Sequence, residues 1–396
     1  RLNLLNSDEK VSLELDLLKN PLHSYRSNHG DVARIIEAAG LTDAYKAEGL
    51  SALSPEVAQQ IDALRGKQTD WFKEIYEPTF NQQYGLSLSG GTERFNYYTS
   101  FGYYDEKGTT KGTAFKRYNV TANTDYKLSE KVTVGLSLFA NQTDRNSYLA
   151  ESEFSNPQRY TRNVNPYREL YDSEGNYIYD PDVTLSDDKQ IPFNYMEELN
   201  NTNYTLKNQS LKAVADLEWK ILQPLRFTSQ LGTQIESNTT EKSGTKESFF
   251  ARSYHNSAMY KGKSFLPEGG IIQNWHDSFF QYNWKNQLFY SQRFQDRHDL
   301  DVMAGMELRR NNTTGIHSKG FGYDERTLTT KPVVFPEGLS ASTANNSRFA
   351  PYRKQIYENA FVSFFSTLSY TYDNRYTLFA SLRYDGSNLF GVDPKY

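Results

Sequence analysis

From Phe80 to the end of the chain, apolar residues fall on every second position, and no other feature of the sequence limits the fold as much. Successive side chains of a strand point to opposite faces, so this period means β-strands with one apolar and one polar face. The first row is Phe80, Gln82, Tyr84, Leu86 and Leu88, and the second is Phe95, Tyr97, Thr99, Phe101 and Tyr103. Comparable rows run through 118–126, 132–140, 211–219, 225–235, 282–290, 300–308, 362–372 and 376–384. About ten strands are predicted, each longer than the roughly five or six residues usual in soluble sheets.

Short and long connections alternate along this region. Tight turns are expected at 89–93, 127–131, 222–224, 295–297 and 373–374. Between them fall a modest loop near 105–114 and three long ones near 145–202, 236–276 and 309–357. One end of the sheet is therefore trimmed and the other elaborate, the layout of an antiparallel transmembrane β-barrel.

A soluble two-sheet sandwich also alternates apolar and polar residues. The apolar rows quoted carry no Asp, Glu, Lys or Arg, as either a lipid wall or a buried sandwich face requires. The opposite rows, rich in Asn, Gln, Ser, Thr and Gly with occasional Arg and Asp, suit a wet lumen better than an open surface. Large aromatics (Phe95, Tyr97, Tyr126, Trp219, Phe227, Tyr290, Tyr372 and Tyr376) recur near the short turns. That is where rings settle between hydrocarbon and headgroups. Composition agrees: 15% aromatic residues combined with a mean hydropathy of -0.75 is what a wall apolar at alternate positions, with long polar loops, produces. A soluble or surface-exposed glycan-binding β-sheet protein is the alternative reading.

Residues 1–79 follow helical spacing instead. Asn6 and Glu9 form a capping-box pattern ahead of Val11, Leu13, Leu15 and Leu18, with Pro21 ending the run. A second helix is expected from Asp31 to Ala39, stopped by Gly40. A third starts at Ser54-Pro55, buries Val57, Ile61 and Leu64, and ends at Gly66; Asp70 caps a short fourth turn with Trp71 and Ile75. If the first tight turn is periplasmic, this segment belongs to an extracellular loop. Arg1 begins inside a helix lead-in without Met or an apolar leader, so the chain is expected to be an internal piece of a longer protein.

Charge and composition exclude several partners. The net charge is -4 and basic residues are scattered among acidic ones, which disfavours nucleic acid. With 0 Cys there is no thiol chemistry. The six histidines (His23, His29, His255, His276, His298 and His317) show no metal spacing, and no nucleophile elbow or phosphate loop is present, so neither an enzyme nor a cofactor is expected. Asp172, Glu174, Asp180 and Asp182 lack calcium-loop spacing and are expected to be solvated. Tyr160, Tyr167, Tyr171 and Trp275, all assigned to the long loops, are the candidate substrate-binding residues, because flat rings can stack on sugars or peptide side chains.

An ordered set of motifs resembles the SusC/RagA-type TonB-dependent transporters. Asp70-Trp71-Phe72-Lys73-Glu74-Ile75-Tyr76 and Gln83-Tyr84-Gly85-Leu86-Ser87-Leu88-Ser89-Gly90-Gly91 are similar to the start of that family's barrel repeats. Gly102-Tyr103-Tyr104-Asp105-Glu106-Lys107-Gly108, Lys116-Arg117-Tyr118-Asn119-Val120 and Lys131-Val132-Thr133-Val134-Gly135-Leu136-Ser137 follow in order. Asn165-Pro166-Tyr167 with Tyr171-Asp172-Ser173-Glu174-Gly175-Asn176-Tyr177 resembles a family loop, and 382–391, ending at Gly391, resembles a later strand. The resemblance implies about ten strands of a 22-stranded plugged barrel in a Gram-negative, Bacteroidetes-like outer membrane. It also implies import of oligosaccharides or peptides with a SusD-like surface lipoprotein, energised by the TonB complex. No plug, TonB-contacting segment or closing strand is recognised in this sequence. The expected division is a helical loop segment at 1–79 and a partial barrel at 80–396.

Overall fold

The computed structural model describes residues 4–20, 30–185 and 189–390; Pro21, His23, His29 and Gly391 lie outside them. Ten long strands form one antiparallel meander: β1 (Gln82–Gly91), β2 (Phe95–Lys107), β3 (Ala114–Lys127), β4 (Val132–Ser147), β5 (Thr202–Leu222), β6 (Leu225–Gly244), β7 (Gly270–Phe294), β8 (His298–Asp324), β9 (Tyr352–Tyr372) and β10 (Tyr376–Ser387). Each pairs with its neighbours in sequence, and only the short strand Thr329–Lys331 departs from this path, lying against β8.

Register explains the alternation. Leu86, Phe101, Val120, Ala140, Leu211, Ile235 and Phe280 are consecutive partners across seven strands, so one apolar row crosses the sheet without a break. Most of its large side chains are open to the surroundings, as are Leu88, Trp284, Leu288 and Phe364; Leu86 is 74% exposed and Leu382 76%. Among the described residues no second sheet covers this face, so the arrangement is not a sandwich. Along β7 the outward row from Phe280 to Tyr290 climbs about 34 Å at about 3.4 Å per residue, or about 25 Å if the strand tilts by ~45°. That height matches a lipid-facing band. Among the described residues no helix is long and apolar enough to cross a membrane, a fact with no bearing on a strand-built wall.

The turns at one end are tight, and two of them use left-handed backbone. Asp373 and Asn374 both have positive φ, 49° and 53°, as do Gln295 and Asp296 at 51° and 53°. Asp and Asn tolerate this conformation because a short polar side chain can bond locally. Phe95 faces Tyr126, Trp219 faces Phe227 and Tyr372 faces Tyr376 at this end, placing the expected aromatic belt beside the turns.

The strands extend beyond the sequence-based expectation. β7 and β8 contain 25 and 27 residues, and β5, β6 and β9 are also longer than their apolar rows. The long connections shrink accordingly to 148–201, 245–269 and 325–351. Trp275 therefore sits on β7 and not in a loop. Above the lipid band both faces of a strand are wet, so period-two alternation no longer marks it. The polar face is also more charged than expected: it carries Lys212, Lys220, Glu218, Lys285 and Glu307 beside Asn and Gln. Inward-facing rings lie under cations, Arg226 at 4.2 Å from the Phe289 centroid and Arg309 at 4.4 Å from Phe361.

Residues before β1 fold into α1 (Ser7–Lys19), α2 (Asp31–Ala38), α3 (Thr42–Glu48), α4 (Pro55–Arg65) and α5 (Trp71–Ile75). The capping box of α1 forms in both directions, Asn6 Oδ1 accepting from the Glu9 N–H and Glu9 from the Asn6 N–H. Ser54 Oγ caps α4 and Asp70 caps α5. Gly40, at φ 68°, ends the second helical run in a conformation that suits glycine. Helix α3 is not anticipated by the apolar spacing. Val11, Leu15, Leu18, Val32, Ile36, Tyr45, Val57 and Ile61 form one core, and Tyr167 from the 148–201 connection enters it.

Candidate functional site

The long connections carry their own cores, packed on the extended ends of the strands. Leu149, Phe250, Tyr254, Phe265, Leu266 and Phe349 come from all three connections and close on Ile271 of β7 and Phe321 of β8. A second cluster joins Trp71 and Ile75 of α5 to Tyr160, Phe193, Tyr195 and Phe249. Three short helices build these layers: α6 (Pro157–Asn163), α7 (Tyr195–Asn201) and α8 (Phe249–Ser257). Asn156, Asn194 and Ser248 cap them through side-chain oxygens.

Two of the four candidate aromatics are buried, Tyr160 in the second cluster and Tyr167 in the core of the N-terminal helices. Tyr160 is 4% exposed, its ring packed edge-on against Trp71 and stacked on Tyr195, with its hydroxyl donating to Asp180 Oδ2 at 3.0 Å. Tyr167 is 2% exposed; its hydroxyl donates to Glu14 Oε1 at 2.7 Å and accepts from the Asp31 N–H at 3.0 Å. Neither ring has a free face for a sugar or peptide, contrary to the sequence-based expectation. The cause is long-range: Trp71 of α5 packs on Tyr160, and Tyr167 enters the core of the N-terminal helices with its hydroxyl on Glu14. Tyr171 remains exposed, beside Tyr177 at 5.5 Å.

The acidic run is also largely taken up. Arg168, 9% exposed at its side chain, forms ion pairs with Asp31, Asp180 and Asp182, and Arg34 joins Asp31 and Asp182. Asn165 Nδ2 donates to Asp182 at 2.8 Å. Burial by itself would raise the Asp31 carboxyl, but the guanidinium groups of Arg168 and Arg34 outweigh it and hold the group below its ordinary value. Asp172 accepts from the Glu174 and Asn176 N–H groups and shapes the turn at Gly175. Among the described residues no three His, Asp or Glu converge as a metal site. The Asn165-Pro166-Tyr167 motif is thus a clamp: Asn165 and Arg168 hold Asp182, Tyr167 enters the helical core, and the Pro166 carbonyl accepts from the Thr69 N–H at 2.8 Å.

Glu198 closes another buried joint. Its carboxylate accepts from the Phe249 and Phe250 N–H groups at the start of α8, while Glu197 pairs with Arg252 at 2.6 Å. Burial pushes Glu198 up to about 7 despite those donors and the nearby Arg252.

Trp275 lies on the polar face of the sheet, four residues beyond the core residue Ile271. Its register partners are Thr240 on β6 and His317 on β8, and His317 faces Arg353 on β9. The indole stacks on the His317 ring, with centroids 4.2 Å apart and planes at 12°. On the other flank Lys242 lies 5.3 Å from the indole and 5.0 Å from the Tyr204 ring, and its ammonium pairs with Glu151 at 3.1 Å. Lys319 donates to the Ser347 and Arg348 carbonyls. Lys242, the His317/Lys319 pair and Arg353 come from three separate strands and carry no motif. Only the pairing register brings them together, which is why sequence reasoning misses them.

No family model matches the chain. TonB-dependent receptor P26 of Formosa agariphila is 24% identical over 328 residues, covering 83% of this chain and 30% of that protein. TonB-dependent receptor SusC of Bacteroides thetaiotaomicron is 22% identical over 351 residues, 83% of this chain and 31% of that protein. The chain spans about a third of the length of these curated relatives. The RagAB peptide transporter structure superposes with a TM-score of 0.66 at 17% identity, covering 98% of this chain and 40% of that one. The 'open-open' state of the RagAB peptide importer gives 0.62 at 20% identity with the same coverage. In sequence the chain is similar to SusC-type TonB-dependent receptors, and in fold it matches a stretch of the RagAB transporter's β-barrel wall.

Proposed function

We propose that the full-length protein containing this chain is a TonB-dependent importer of the Gram-negative outer membrane, taking up oligosaccharides or peptides with a SusD-like surface lipoprotein and the TonB complex as partners. The observation that carries this reading is the sheet itself, with an exposed apolar face of bilayer height and a polar face toward the lumen. The superposition on RagAB supports the same architecture. The chain contributes wall and loop cap in this reading, with the long connections outside the cell and the tight turns in the periplasm. Tyr171 and Trp275 are the two candidate aromatics placed to meet cargo, while Tyr160 and Tyr167 hold the cap together.

Membrane fractionation and uptake test the reading. The full-length protein is expected in the outer-membrane fraction, and deleting its gene or tonB is expected to abolish uptake of the same oligomers. Recovery in the soluble fraction, or uptake indifferent to tonB, would overturn it. Tyr171→Ala and Trp275→Ala are each expected to weaken cargo binding several-fold in titrations of the full-length protein; unchanged affinity removes that residue from the site.

A further inference from the structure

The wall below the loop cap has a chemistry that deepens the importer reading and rests on it. Ile271 and Phe321 face the cap core, and further along the same face of the same strands come Trp275 and His317, with Arg353 beside His317 on β9. Any cargo that passes under the cap meets this wall next. Its cations differ in what they already hold. Lys242 is neutralised by Glu151, and Lys319 is held by two carbonyl groups of the 325–351 connection. Arg353 is exposed, and among the described residues its guanidinium makes no hydrogen bond or ion pair. His317 Nε2 is shielded from solvent and has no partner among the described residues, an arrangement that folding ordinarily avoids. Along β7 the next acid on this face is Asp277, two positions from Trp275, and the three cations Lys242, Lys319 and Arg353 outnumber it and Glu151.

We infer that this wall is a subsite for carboxylate groups, so that the cargo is an acidic oligomer. Arg353 supplies the two-pronged donor set that matches a carboxylate. His317 fixes the orientation of the Trp275 indole by stacking on it. Lys319 adds long-range attraction that salt weakens. The exposed part of the Trp275–His317 pair lies against the apolar body of the residue that carries the carboxylate.

The test is calorimetric titration of the purified full-length protein with four probes: hexagalacturonate, maltohexaose, pentaglutamate and pentaglutamine. The expected result is at least a tenfold preference for one acidic probe over its neutral counterpart, shrinking with added salt. Which acidic probe is preferred identifies the source of the carboxylate. Arg353→Gln is expected to erase the preference while leaving neutral affinity within twofold. His317→Ala is expected to reduce the preference, with the heat-modifiable migration of the folded barrel unchanged. Equal affinity for acidic and neutral probes overturns the subsite while leaving the importer reading intact, as does a preference that survives Arg353→Gln. Failure of the importer reading is read separately, by uptake indifferent to tonB.

Discussion

Arg168 shows how much of the outer cap depends on single side chains. Three carboxylates converge on one nearly buried guanidinium, and removing it takes away the ion-pair partner of Asp180 and leaves Asp31 and Asp182 to Arg34 alone. Breaking such an arrangement from one side typically costs about 3–5 kcal/mol. Arg168→Ala in the full-length protein is expected to expose the 148–201 connection to limited proteolysis while the strands stay protected. Tyr167→Phe is milder. It withdraws the hydroxyl from Glu14, whose carboxyl burial already raises above its ordinary value, at a cost of about 1–3 kcal/mol for the group left unmatched. Glu198 sets a pH response. Its carboxyl is at about 7 when folded, against an ordinary value of 4.5, so the folded state binds a proton that the unfolded state has lost between those values. Stability is therefore expected to fall as pH rises from about 4.5 to about 7 and then level off, by roughly 3 kcal/mol in all. Glu198→Gln is expected to flatten that slope in thermal unfolding of the full-length protein at pH 5 and pH 8. None of these roles is legible locally, because Glu14 lies 153 positions from Tyr167 and Asp31 lies 137 from Arg168.

Elements were far more readable than side-chain partners. All ten strands and the helices at 7–19, 31–38, 55–65 and 71–75 follow from period, caps and glycine stops that act over a few residues. Helix α3 escapes because its seven residues place one large apolar anchor, Tyr45, in the core, which is too little to establish a period. The upper halves of β5 to β9 escape because alternation records the contrast between lipid and lumen, and that contrast ends where the wall leaves the bilayer. The same contrast governs substitutions. Leu231 and its partner Trp284 lie in the middle of the outward band. Leu231→Arg is expected to destabilise the full-length barrel in liposomes by about 2–4 kcal/mol, read from the urea midpoint of tryptophan fluorescence. Outward Trp284 escapes a similar penalty for its indole N–H by donating to Ser229 Oγ at 3.1 Å, and Ser229→Ala is expected to cost about 1 kcal/mol in the same assay.

At the scale of the whole molecule, the exposed apolar wall and the interlocked cap make opposite demands on the solvent. Residues 1–396 expressed without detergent are expected to aggregate through the wall and the open sheet edges. A monodisperse, cooperatively folded sample with near-UV circular dichroism would contradict the membrane reading. The cap has a further consequence for how such proteins diverge. Tyr167 sits in the core of the N-terminal helices, Phe249 in the core of α5 and the first long connection, and Phe349 in the core of the second. These segments are strung along the chain at wide intervals, yet each completes another's interior. A graft that moves one of them alone into a related receptor would import a hole and leave another behind. Inheritance of a new specificity through this cap therefore has to be coordinated, with helices and connections exchanged as a set, while the β-wall beneath can stay as it is.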